Sequence, residues 1–153
     1  MLNNTYVLTF VLYKYLVDKG MIEKSARYSH GTALFLWDLT DKTPNRYHMT
    51  FPMNYNLTKP KKENIQCTQC KETLYDLGIV DATIPGGNKV KAYSIERTLC
   101  DILKSHSQMD IQIVANAYKF YVTRTEKNIP ALSEYAKIFK VEARLRAYLE
   151  VLL

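Results

Sequence analysis

The stretch Gly78–Leu103, GIVDATIPGGNKVKAYSIERTLCDIL, holds two strands, a turn and a helix in one run. GIVDATI and NKVKAYS are rich in β-formers and flank Pro85-Gly86-Gly87-Asn88, which predicts a β-hairpin. Ser94 then stands where a helix N-cap belongs, and Glu96 falls in the first turn, against the helix dipole. Ile95, Leu99, Ile102 and Leu103 give that helix its apolar face. Arg97 and Asp101 sit at i and i+4 and are placed to pair. A hairpin feeding an amphipathic helix predicts an α/β domain, with α+β as the near variant.

Upstream, YSHGTALFLWDLTDKTPNRYHMTFP (residues 28–52) predicts a helix over 30–39, capped by Ser29 and carrying Ala33, Leu34, Leu36 and Trp37. Pro44 forbids continuation and turns the chain. In the following run Tyr47, Met49 and Phe51 alternate with Arg46, His48 and Thr50, the pattern of a half-buried strand. Residues 54–64 are polar and basic and read as an exposed loop, after which IQCTQC forms a short strand. Residues 5–18 read as an apolar helix ended by Gly20. Downstream, Asp110 caps one helix and Pro130 lies in the first turn of another. Val141, Leu145, Tyr148, Leu149 and Leu152 stripe a last one. The expected architecture is a small mixed β-sheet packed by helices, with a helical C-terminal half and a short N-terminal helix.

The chain has 153 residues, of which 47% are hydrophobic and 24% charged, enough for one domain with a real core. Twelve tyrosines are many, and each offers a buried ring with a polar tip. The net charge of +6 favours polyanionic partners, nucleic acid first. Basic sets stand at Lys59, Lys61 and Lys62, at Lys89 and Lys91, and at Arg124 and Lys127; on one face they would form a phosphate-binding platform. Further basic residues, Lys137, Lys140, Arg144 and Arg146, lie near the end. Three cysteines, Cys67, Cys70 and Cys100, suit a reducing cytosol better than a disulfide scaffold. The N-terminus has no signal-peptide pattern, and no run reaches the roughly 18 apolar residues of a membrane span, so a cytoplasmic protein is expected.

No catalytic residue stands out. Cys67 and Cys70 form a CxxC, but zinc needs two further ligands, and only Cys100 and the dispersed His30, His48 and His106 remain. No metal or cofactor is expected. Gly86-Gly87 lies in a hairpin, away from any phosphate-loop context. A nuclease-like, nucleic-acid-processing enzyme using Asp81, Glu96 and a basic groove is the alternative from the enzyme class.

Taken together, Ser29-His30, Ala33-Leu34, Leu39-Thr40-Asp41, Thr43-Pro44 and Phe51-Pro52, followed by Glu96-Arg97-Thr98 and Asp101, resemble the AbiEi-type antitoxins of type IV toxin–antitoxin systems. The resemblance spans about residues 20–153 and includes the closing LSEYAKIFKVEARLRAYLEVLL. It implies an abortive-infection, antiviral-defence protein that counters a nucleotidyltransferase-like toxin without a stable complex. It also implies a transcriptional regulator that binds its own promoter DNA through an N-terminal winged helix. Residues 1–27 are then a remnant of that winged-helix region, too short for its three helices and wing, and 28–153 are the antitoxin domain. The candidates for the family-specific functional surface are His30, Arg46, Glu96, Arg97 and Asp101. A homodimer through the N-terminal helix is a further expectation, as is the reading of the chain as a truncated remnant that regulates nothing.

Overall fold

The computed structural model describes residues 11–16, 18–19, 27–84 and 87–153. Residues 11–16 are helical (α1). There follow β1 (Arg27–Tyr28), α2 (His30–Leu36), β2 (His48–Pro52), α3 (Thr58–Lys62), β3 (Gln66–Cys70), α4 (Glu72–Tyr75), β4 (Ile79–Thr83) and β5 (Lys89–Tyr93). After the sheet come α5 (Ile95–Asp101), a 3-10 turn (Ser105–Ser107), α6 (Ile111–Val122), α7 (Ile129–Ile138) and α8 (Glu142–Leu152). The strands form one mixed sheet in the order β3-β2-β1-β5-β4, an α/β architecture. β1 runs antiparallel to β2 and parallel to β5, while β2 and β3 are parallel.

Local chemistry explains most of these elements. β4 and β5 close as the expected hairpin, with Ile79 opposite Tyr93 and Thr83 opposite Lys89. Gly87 takes φ +90° in its turn, a conformation that glycine adopts without cost. Ser94 accepts from Arg97 N, Asp110 from Gln112 N and Asn128 from Ala131 N, so α5, α6 and α7 each start on a side-chain cap. Buried tyrosines satisfy their tips: Tyr118 Oη donates to Leu99 O at 2.7 Å and Tyr93 Oη to Tyr75 O at 2.6 Å.

Several expectations change. The loop over 54–64 contains α3, where Pro60 is buried in the first turn and its missing N–H costs no helix bond. β2 is buried on both faces, not half-buried, because helices cover the side that carries His48 and Thr50. Of the N-terminal helix expected over 5–18, residues 5–10 and 17 lie outside the described residues, as does its end at Gly20. Its described part joins the main body: Leu16 is fully buried in one cluster with Tyr28, Met49, Phe51, Val90 and Ala92. The division into 1–27 and 28–153 also passes through β1, a central strand.

A second core, on the helical side, gathers Leu34, Leu99, Val114, Tyr118, Leu132 and Leu145. Arg97 lies beside it with only 1% of its surface exposed. Its Nη1 donates to the carbonyl of Leu74 in the last turn of α4 and to that of Leu77 just after it, and its Nε lies 3.4 Å from Asp101 Oδ2, the expected i, i+4 pair. The guanidinium stacks over the Tyr93 ring at 3.6 Å and reaches the Phe139 ring at 4.8 Å. Such a charge is tolerated inside only when its donors are satisfied.

Gly78 is the backbone counterpart of that arrangement. It sits at φ +79°, and a Cβ there would meet Arg97 Cβ at 3.1 Å and Tyr135 Oη at 3.2 Å. Gly78→Ala therefore carries both a left-handed-backbone penalty and crowding, and should lower stability by about 2–3 kcal/mol in urea unfolding. Gly87→Ala meets open space and should cost about 1 kcal/mol, the backbone part alone. Equal losses at the two sites would remove the argument that Arg97 crowds position 78.

Candidate functional site

The side of β2 facing α2 is a polar layer. His48 and His30 stack with centroids 4.1 Å apart and planes 8° from parallel. Thr50 Oγ1 donates to Ser29 Oγ at 2.8 Å, and Ser29 Oγ lies 3.0 Å from His30 Nδ1. Ser29 Oγ thus joins Thr50 and His30 in one hydrogen-bonded chain. His48 N donates to Thr32 Oγ1 at 2.8 Å, and His48 Nε2 meets Thr68 Oγ1 at 2.6 Å. The Ser29 hydroxyl thus ties α2 to β2 and does not cap the helix by its side chain, contrary to the sequence expectation. Its backbone carbonyl receives Ala33 N at 3.2 Å instead.

His30 opens α2 at φ +50°, in the left-handed region that few side chains adopt. The ring stack and the Ser29 bond hold it there. Backbone strain of this kind concentrates at sites where geometry is over-determined. Ser29 is fully buried, so the Ser29–His30 pair presents no nucleophile to a substrate.

Beside His48 opens a cleft of about 300 Å³, lined by Thr32, Lys42, Asn45, Arg46, Gln66 and Met109, among others. Arg46 is anchored there: its Nε donates to Asn64 O at 3.3 Å and its Nη2 to Ile65 O at 3.2 Å. Lys42 is exposed. The cleft joins a neutral, hydroxyl-bonded histidine floor to a cationic rim, a chemistry suited to binding a polar or anionic group.

The five surface candidates separate. Arg46 alone is on the surface; His30, Arg97 and Asp101 are inside the fold, 1–3% exposed. Glu96 is half-buried, and burial first, then the Glu96 charge, raises the pKa of Tyr121. Ser29-His30 and Arg97-Asp101 are framework, although the packing of α2 against α5 brings them to one region. Asp81 is engaged with Lys91 at 2.6 Å, so the two carboxylates of the nuclease alternative have separate surroundings.

The basic sets do not form one platform. Lys59, Lys61 and Lys62 lie on α3 beside edge strand β3, whereas Lys89 and Lys91 lie on β5, next to the opposite edge. Arg124 Nη2 donates to Trp37 O and Asp38 O and closes the end of α2. Lys127 Nζ donates to Arg124 O at 3.2 Å. Among the described residues no three His, Cys, Asp or Glu side chains are grouped as metal ligands. No described helix is long and apolar enough to cross a membrane.

Sequence reading sets His48 and Thr50 on one strand face but gives them, Thr32 and Thr68 no place in a site. The register of β2 on β3, which sets Thr50 opposite Thr68 and His48 opposite Gln66, appears only in the structure. No protein-family model matches this chain, and no curated protein matches it.

Burial first, then the charges of Lys104, His106 and Arg97, lowers the His30 pKa from 6.5 to about 3. Burial first, then His30, lowers that of His48 to about 2. Both rings are therefore neutral in the folded chain at pH 7. Below about pH 6.5 the unfolded chain takes up protons that the folded chain refuses, so stability present above 6.5 is lost as pH falls towards those values. Each histidine should contribute a slope of up to roughly 1.4 kcal/mol per pH unit. Urea unfolding between about pH 6.5 and pH 5, above most carboxylate titration, should show this slope, and His48→Gln should roughly halve it. An unchanged slope in the variant rejects the buried neutral stack.

Proposed function

We propose that this chain is an antitoxin-like protein of a type IV toxin–antitoxin, phage-defence system, which counters a nucleotidyltransferase-type toxin without chemistry of its own. The observation that carries the reading is the meeting of two motif segments far apart in sequence. Ser29-His30 and Glu96-Arg97-Thr98 with Asp101 resemble the AbiEi-type pattern, and α2, headed by His30, packs directly on α5, which carries the second motif. Residues of that kind brace a fold, and function then falls to the surface beside them. The cleft rimmed by Lys42 and Arg46 is that surface, and His48 and Thr32 set its floor. Regulation of its own operon through promoter DNA belongs to the same reading, supported by the net charge of +6.

The test is growth rescue. Cells carrying an inducible nucleotidyltransferase-type toxin from the same locus should regain colony formation when this chain is co-expressed. Lys42→Glu, at an exposed side chain, should weaken rescue while the unfolding free energy stays within about 1 kcal/mol of wild type, and Arg46→Glu should weaken rescue with an added stability loss from its two carbonyl bonds. Absence of rescue by well-folded wild-type protein sinks the antitoxin reading. Full rescue by both variants moves the function away from this cleft.

A further inference from the structure

A second cleft, of about 420 Å³, opens where the α7–α8 corner meets the segment after α5. Lys104, His106, Lys140 and Arg144 line it, with Ser105 and the Phe139 ring. Among the described residues no carboxylate lines it. Two acids lie close to its lining residues in the chain, Asp101 and Glu142. Asp101 is buried, 3.5 Å from Lys104 Nζ, and already holds Arg97. Glu142 is exposed and lines a different groove. Two cations share the one Asp101 carboxylate, so Lys104 is only half compensated. Arg144 Nη1 donates to Leu103 O at 2.5 Å, which fixes its guanidinium at the rim. Lys104 Nζ stands 4.2 Å over the Phe139 ring and is thereby positioned as well.

The backbone adds an independent observation. Lys140 follows α7 at φ +59°. Val141 N donates to Ala136 O at 2.9 Å and Lys140 N to Lys137 O at 3.2 Å, the double bond of a Schellman helix end. Glycine is the favoured residue at that position, and a side chain there costs about 1 kcal/mol. Asp38 ends α2 in the same way at φ +57°, so the conformation is a regular helix end, and what sets Lys140 apart is that its side chain lines a cationic cleft.

We propose that this cleft binds a compact phosphate-bearing anion, the phosphate group of a small molecule. Its size lies within the range of small-ligand pockets, roughly 300–1,000 Å³. Its cations surround a concavity with an aromatic wall, whereas a nucleic-acid backbone calls for a stripe of charge along the surface. The site stands apart from the Lys42–Arg46 cleft and does not rest on the antitoxin reading.

The experiment is a calorimetric titration of the full chain with inorganic pyrophosphate at constant ionic strength. Saturable one-site binding is expected. Arg144→Gln should weaken it by about tenfold, the size of one lost hydrogen bond to a charged group. Lys61→Gln with Lys62→Gln, on exposed α3, should change it less than about twofold, since remote surface charges are screened. Lys140→Gly is the discriminating variant: it should raise the thermal unfolding midpoint by relieving the backbone and weaken pyrophosphate binding by about tenfold. A merely structural lysine would not give that opposition. Absent saturation, or equal losses in the α3 control, overturns the proposal. A single-stranded oligonucleotide that binds at the same salt more than about tenfold tighter than pyrophosphate overturns it too, in favour of a nucleic-acid surface.

Discussion

Arg97 brings a full positive charge to a place that water does not reach, and much of the fold is arranged around that cost. Each face and edge of the guanidinium has a partner: carbonyls in α4 and just after it, the Asp101 carboxylate, the Tyr93 ring on one side and Phe139 nearby. These groups come from β5, α5, α4 with the segment after it, and the end of α7. A single side chain therefore fixes the distance between the sheet and the C-terminal helices. Gly78 fits beside it, since its φ of +79° suits glycine and a Cβ there would crowd Arg97 Cβ at 3.1 Å. The closeness of Tyr93 to Arg97 also explains why the hairpin runs into α5 with so short a link: Ser94 N donates to Gly78 O at 2.7 Å, and Ser94 Oγ caps the helix that carries the arginine.

The sheet has two unlike sides, and β2 shows how they arise. Met49 and Phe51 join the apolar cluster that includes Leu16, while His48 and Thr50 enter a layer of hydroxyls and imidazoles under α2. A polar layer inside a protein is stable only when its members satisfy one another. Here Thr50, Ser29 and His30 form one hydrogen-bonded chain, and His48 is paired at Thr68. The neutrality of both histidines is part of that solution, since a proton on either stacked ring would place a charge 4.1 Å from its neighbour. The layer gives α2 a fixed direction, which in turn shapes the wall of the Lys42–Arg46 cleft.

Elements whose signals are local were readable in sequence. The β4–β5 hairpin, the caps at Ser94 and Asp110, the helix start at Pro130 and the alternation of β2 all rest on neighbours a few residues apart. What was not readable depends on distant partners. β1 is described over two residues, Arg27–Tyr28, and is paired with a strand on each side. The burial of Arg97 is set by carbonyls of Leu74 and Leu77, which carry no sequence signature. Arg124 likewise reads as a free cation until the end of α2 is seen to need its donors. The basic residues were visible as letters, but only the strand order shows that α3 and the hairpin stand at opposite edges.

The same distinction separates framework from surface at the two clefts. His30, Arg97 and Asp101 stand out in sequence only because they match the AbiEi-type pattern, which marks them as candidates for a functional surface. In the structure their partners account for them: His30 stacks on His48 and bonds Ser29, and Arg97 pairs with Asp101 inside the fold. Lys140 differs. Its left-handed backbone is strained, yet an alanine or a glycine would end α7 as well or better, so packing supplies no reason for its ammonium group. Lys104 differs too, since Asp101 serves it and Arg97 together. The residues of the α7–α8 corner thus keep their charges towards solvent, whereas the motif residues beneath it spend theirs on the fold.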